Sequence, residues 1–264
     1  MTAASPRYEP AGPIRNGARA DGRTLEDLAV AEDHEGWVSR TRVFLTPIAA
    51  PSIMGLFGFF IATLMVGAWQ AGWYGPASAT GIIWPFALFA GGLMQVIAAI
   101  ASFRARDGVA LAVHAVWGAF WLGWSILQWL VAVHVAAPIT IGAYNPAFAF
   151  WFIALTCVTG LCMLAAAGQN LLVALTLAFL SCGTALTAAG FYAGSGIVVN
   201  AGGWLFICSA VAALLAAGAM MFEHAYGRTI IPLGTWLKPA NLPGARPTDP
   251  IAYPSGMPGV KVGQ

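Results

Sequence analysis

Residues 79–133 read ATGIIWPFALFAGGLMQVIAAIASFRARDGVALAVHAVWGAFWLGWSILQWLVAV, two long apolar runs divided only by the charged joint from Arg104 to Asp107. Each run has the roughly 20 apolar residues that a helix needs to cross the hydrocarbon core of a bilayer. A charged side chain at mid-membrane costs about 2.5–3.5 kcal/mol even on insertion scales, so charges confined to such a joint are what lipid insertion selects. The same segregation extends outward in both directions. All 12 Lys and Arg and nine of the 10 Asp and Glu lie in residues 1–42, in this joint or after residue 227, and the tenth acid, Glu223, ends the last apolar run. The apolar stretches at roughly 52–74, 79–102, 109–133, 147–167, 171–193 and 199–222 each reach membrane length. Only 8% of residues are charged, against about 25% in soluble domains. The chain therefore reads as an all-α polytopic membrane protein, six transmembrane helices in one bundle.

The loops set the orientation. If both termini and the joint at Arg104 share one side, all 12 cations share it, because the other four loops carry no Lys, Arg, Asp or Glu. The positive-inside bias then places both termini in the cytoplasm of a bacterial-type inner membrane. Trp69, Trp73, Tyr74 and Trp84 flank the first loop and Trp129, Tyr144 and Trp151 the third, as expected of amphipathic rings at an outer interface. Asn145-Pro146 offers a helix cap followed by a first-turn proline, while Gly168 followed by Asn170 reads as a stop and a new cap. The fourth and fifth spans should thus form a tight hairpin.

A transmembrane domain over residues 46–234 is flanked by a polar N-terminal tail, residues 1–45, and a Pro/Gly-rich C-terminal tail, residues 235–264. Seven acidic residues mix with Arg7, Arg15, Arg19 and Arg23 in the first tail, and six prolines space the second. Such compositions favour solvated, extended backbone, which serves either as a solubilising tail or as a strap for a protein partner. Residues 1–42 hold no apolar segment of the signal-peptide kind, so the first span itself directs insertion. A net charge of +2, scattered through the tails, argues against nucleic acid. The four cysteines, Cys157, Cys162, Cys182 and Cys208, lie inside spans without metal or redox spacing and read as buried thiols. His34, His134 and His224 give no metal spacing, and no cofactor motif or hydrolase elbow is present. Neither a metal, a cofactor nor an enzyme activity is expected.

Helices in lipid associate where small residues let their backbones approach. Ser209, Ala213 and Ala217 in the last span, Ala87, Gly91 and Gly92 in the second, and Gly55 and Gly58 in the first form such rows. They read as helix contacts before anything else.

The run from Ala50 to Phe59, APSIMGLFGF, resembles the N-P-A-P-L-G-L-x-G-F signature of the acetate uptake transporter family, the acetate–succinate permeases. Gly91-Gly92-Leu93-Met94-Gln95 is similar to the family's G-G-x-x-Q, Gly118-Ala119-Phe120-Trp121-Leu122 to its Y-G-S-F-W-L, and Gly202-Gly203-Trp204 with Gly227-Arg228-Thr229-Ile230-Ile231-Pro232 to its A-G-W and G-R-T-x-x-P. The matches run in order over roughly residues 50–234. The resemblance implies six-helix protomers assembled as a hexamer, each with its own narrow pathway for small monocarboxylates. It also implies a constriction of Phe, Tyr and Leu, which falls here on Phe59, Trp117 and Leu175. Such a neck would be wholly apolar. Moving a bare carboxylate into a dry region costs on the order of 20 kcal/mol in the idealised limit, so the neck passes small acids only when it wets or when the acid is protonated.

Several positions depart from the family's pattern. The signature Asn is Ala50, its second Pro is Ile53, and the Thr-Ser pair before the constriction Tyr is Ala115-Val116. Acidic positions of the family in the second and last spans fall on Ser102 and Met220, which leaves no carboxylate deep in any span. A proton, if coupled, would travel on the substrate. Gln95 can donate to a carboxylate or bond a neighbouring helix. Thr176 can line the path or bond back to its own helix. His114 stands where the family has Phe and is either a gating group or a packing residue. Pro51, opening the first helix, turns uncapped backbone N–H groups and the positive dipole end toward the cytoplasmic vestibule, and the family match makes Gly55 and Gly58 beside it pathway residues as well as helix contacts.

Two functions are compatible with these residues. One is a passive or proton-linked transporter or channel for acetate-like monocarboxylates, any coupled proton travelling on the substrate. The other is a transport-poor membrane subunit docked to a larger complex through its tails. The partners expected are a small monocarboxylate such as acetate, membrane lipid, further copies of the chain and, for the tails, a protein.

Overall fold

The computed structural model describes residues 48–75, 79–105 and 107–234. The two tails assigned from the sequence, residues 1–45 and 235–264, lie outside the described residues. Among the described residues every regular element is helical. Six helices are long and apolar enough to cross a membrane: α1 (Pro51–Gln70), α2 (Thr80–Ala105), α3 (Gly108–Ala132), α4 (Pro146–Ala167), α5 (Leu171–Ala193) and α6 (Gly196–Tyr226). α1 stops short of its predicted end because the chain turns after Gln70, with Gly72 at φ 79°. α6 runs past the predicted end at Phe222 to Tyr226, so Glu223 and His224 ride on helix.

Side-chain caps set three of the starts. Asn145 accepts from Phe148 N at 3.1 Å ahead of Pro146, and Asn170 accepts from Leu172 N and Val173 N at 3.1 Å each. Asp107 does the same for α3, accepting from Ala110 N at 2.9 Å. Each satisfies first-turn N–H groups that have no partner within the helix. The short link from Gly168 to Asn170 folds α4 and α5 into the expected hairpin.

α6 packs between α1 and α5, and its tandem glycines serve both neighbours. A Cβ on Gly203 would lie 2.9 Å from Gly67 O of α1 and 2.5 Å from Ala71 N; one on Gly202 would lie 2.9 Å from Gly183 O of α5. Only hydrogen fits where backbones approach this closely. Ser209, Ala213 and Ala217 are fully buried along the same helix. The cysteines depart from expectation: Cys157, Cys182 and Cys208 face outward and Cys162 is half-buried, all four as free thiols.

α2 is not a uniform helix. After Pro85 it widens into a π-helical stretch over Ala87–Leu93 before resuming the α form at Met94. Proline removes one helical N–H and crowds the preceding turn, and a wider turn re-phases the residues beyond it. Ala87, Gly91, Gly92 and Gln95 all end up buried. Gly91 lies under Trp121, and Gly58 of α1 crosses against the Ala90 carbonyl. The interior of the bundle is aromatic: Phe59, Trp117, Phe120, Trp121, Phe152 and Phe206 are each at most 5% exposed.

Candidate functional site

A cavity of about 420 Å³ opens at the end of the bundle where α1 begins, α4 ends, α5 begins and α6 ends. Ala50, Ser52 and Ile53 line one wall, Gln169, Asn170 and Val173 another, and Glu223 and His224 a third. Gln95, His114, Thr176, Phe59, Leu177 and Leu180 line its remainder. A second cavity, about 30 Å³, lies among Thr63, Gln70, Trp117, Trp121, Gln128 and Phe206. Leu180 borders both, Phe59 the larger and Trp117 the smaller. Phe59 and Trp117 meet edge to face, centroids 5.9 Å apart at 84°. The two voids therefore share Leu180 and are flanked by the Phe59–Trp117 ring pair.

Trp117 is fixed from behind, its indole N–H donating to Thr159 Oγ1 of α4 at 3.1 Å. Edge-to-face packing on Phe59 and on Phe120 (5.1 Å) orients the ring further. On the side of the larger cavity, Gln95 Nε2 donates to Gly91 O at 3.0 Å while its Oε1 stands 3.3 Å from His114 Nδ1. The His114 ring is seated on Gly55, where a Cβ would come within 2.3 Å of Cε1. Thr176 Oγ1 donates to Leu172 O at 2.9 Å, back into its own helix, and its carbonyl accepts from Ser209 Oγ at 2.8 Å. At the far end Gln70 Nε2 donates to Thr187 Oγ1 at 2.8 Å. Thr63 Oγ1 and Trp121 Nε1 are buried without a hydrogen-bond partner among the described residues.

The residues named from the sequence thus divide. Phe59, Gln95, His114 and Thr176 border the larger cavity and Trp117 the smaller one. Leu175 does not join them: it is 46% exposed on the outer face of α5, because the helix turns Val173, Thr176, Leu177 and Leu180 inward instead. Leu180 of the same helix borders both cavities. Pro51, Gly55 and Gly58 are buried at helix contacts and do not border the cavity. The N-terminus of α1 nevertheless reaches it through Ala50, Ser52 and Ile53, and Ala50 supplies no side-chain cap there. Of the predicted outer-belt aromatics, Trp69 turns inward to the smaller cavity, whereas Trp73, Tyr74, Trp129, Tyr144 and Trp151 are exposed. Leu177, Leu180, Thr159 and Gln128 carry no sequence motif and emerge only from the packing.

The sequence pattern of the GPR1/FUN34/yaaH family matches residues 39–233. The chain belongs to that family. The succinate-acetate/proton symporter SatP of Escherichia coli strain K12 is 29% identical over 197 residues, covering 72% of this chain and 97% of the relative; the SatP of Shigella flexneri matches equally. A solved structure of the bacterial acetate channel SatP superposes with a TM-score of 0.65 at 20% identity, covering 71% of this chain and 99% of that one. The architecture seen here is thus the family's six-helix membrane fold. The relatives are named as transporters and a channel, which supports the reading that this chain is not an enzyme.

Proposed function

We propose that the chain transports small monocarboxylates of the acetate class along the axis of its bundle, through the neck formed by Phe59, Trp117 and Leu180. The observation that carries this reading is the pair of voids that share Leu180 and meet the Phe59–Trp117 ring pair. A helical bundle serving only as an anchor has no need of a cavity of about 420 Å³ reaching its centre. The neck is apolar, so it opposes a bare carboxylate strongly and a neutral acid weakly. The named substrates of the relatives, succinate and acetate, agree with a path for small organic acids. Gln95, His114 and Thr176 supply the polar lining on the approach.

The mouth of the larger cavity gathers the helix ends near Arg104 and Arg228, so the positive-inside bias makes it the cytoplasmic vestibule of a bacterial inner-membrane protein. Ile48 and Leu233, near the two ends of the described residues, line that cavity. The exposed apolar faces, such as Ile82, Phe86, Phe89 and Phe103 of α2, meet lipid or further copies in a hexamer.

The test is uptake of labelled acetate into proteoliposomes holding the full chain, with and without an inward proton gradient. Uptake above that of empty vesicles, enhanced by the gradient, is expected. Uptake equal to that of empty vesicles under both conditions would overturn transport in favour of the anchoring role.

A further inference from the structure

His114 is 2% exposed, within the bundle, and borders the larger cavity just short of the neck. Its neighbour fixes its tautomer. Gln95 donates its amide N–H to Gly91 O, which turns the amide oxygen toward His114. An oxygen cannot donate, so the 3.3 Å contact is a hydrogen bond only if Nδ1 carries the proton. Nε2 is then a bare lone pair, and it makes no hydrogen bond among the described residues. Gly55 leaves room for the ring at this depth; any side chain there would overlap it.

Most of the groups around the cavity are uncharged. From α1, α2, α4 and α5 only uncharged groups among the described residues border the cavity, Gln95, Gln169 and Asn170 among them. The remaining ionisable groups at its wall are Asp107 at the start of α3, already capping that helix, and Glu223 and His224 on α6. No Lys or Arg among the described residues borders it. Two carboxylates and a lone pair repel a carboxylate anion, whereas a lone pair on a residue of the cavity wall calls for a neutral donor.

We propose that His114 is the specificity residue of the vestibule: its Nε2 accepts the O–H of an undissociated short-chain monocarboxylic acid and presents that neutral molecule to the neck. The proton stays on the acid throughout. This rests on the transport reading and assigns the species carried, the acid rather than its anion. Because the family resemblance puts Phe at this position, the imidazole is a device of this chain and an aromatic of that size fits the seat.

The experiment uses the full chain as wild type, His114→Phe and His114→Gln, the Gln retaining an acceptor in place of Nε2. Uptake of labelled acetate is followed from about pH 4.5 to about pH 7.5, spanning conditions from mainly undissociated to ionised acid for a carboxyl pKa of about 4–5, with empty-vesicle flux subtracted. Labelled acetamide serves as a neutral donor that does not titrate. Wild-type acetate flux should scale with undissociated acid, and acetamide flux should be flat with pH. His114→Phe should lose about three- to tenfold of both, the worth of one neutral hydrogen bond, and His114→Gln should recover most of it. Equal flux and pH profiles in wild type and His114→Phe overturn the proposal. A second readout is independent of flux: the nitrogen-15 resonances of His114, assigned by their loss in His114→Phe, should show protonated Nδ1 and a Nε2 that shifts with acetic acid at the low pH but not with acetate at the high one. A protonated Nε2 without ligand, or a Nε2 signal unmoved by either, overturns the proposal even if transport is seen. Absence of flux with the Nε2 shift intact overturns transport alone.

Discussion

Trp117 meets Phe59 edge-on at 5.9 Å while its indole N–H donates to Thr159 Oγ1 at 3.1 Å, so the bulkiest residue of the neck is held by one helix and packed against another. Replacing Thr159 with Val keeps the shape and leaves a buried N–H unpaired, at a cost of about 1–3 kcal/mol. Thermal unfolding in detergent should register the loss. The double variant Thr159→Val with Trp117→Phe removes the orphaned donor and should recover part of it. A Thr159→Val protein as stable as wild type would show that the hydrogen bond does not fix the indole.

The tandem glycines of α6 make a sharper prediction. Gly203→Ala drives a methyl into the backbone of α1, and the overpacking should cost about 1–3 kcal/mol or prevent assembly. Gly218→Ala, in the same helix with nothing within 4 Å of its added carbon, is the control. It should be neutral or stabilising by about 0.4–1 kcal/mol, since alanine restricts the unfolded chain. Comparing the unfolding midpoints of the two variants separates crowding from general intolerance of substitution in α6.

Asn170 accepts from two first-turn N–H groups of α5, and Leu171 N and Leu172 N also donate to Gly234 O and Leu233 O. Asn170→Ala should therefore destabilise the protein by about 1 kcal/mol, whereas Asn170→Asp, which keeps the acceptor, should cost much less. Amide exchange at Val173 is the local readout, faster in the alanine variant alone.

Confinement of the charges to the tails, the Arg104 joint and the end of α6 makes the six spans legible in the sequence, and Asn145 and Asn170 announce their caps through residue type alone. The rotation of each helix is another matter. In a soluble helix the polar face reveals the inward one, but in lipid both faces are apolar and Leu175 looks like Leu177. The structure turns the first outward and the second into the cavity wall. Trp69 misleads for the same reason, a ring suited to an interface being equally suited to an aromatic core. The π turn after Pro85 re-phases Gln95, a shift that no spacing rule in the sequence encodes. The Gln95–His114 pair joins residues of two helices whose relative rotation only packing determines.

The rotation of α5 also decides which leucine closes the neck. In a background with Cys157, Cys162, Cys182 and Cys208 replaced by Ser, Leu180→Cys and Leu175→Cys are reconstituted separately, and acetate flux is measured before and after a small water-soluble thiol reagent. Leu180→Cys flux should fall toward that of empty vesicles after modification, and Leu175→Cys flux should be unchanged. Block at residue 175 with residue 180 indifferent would contradict a path running between Phe59, Trp117 and Leu180.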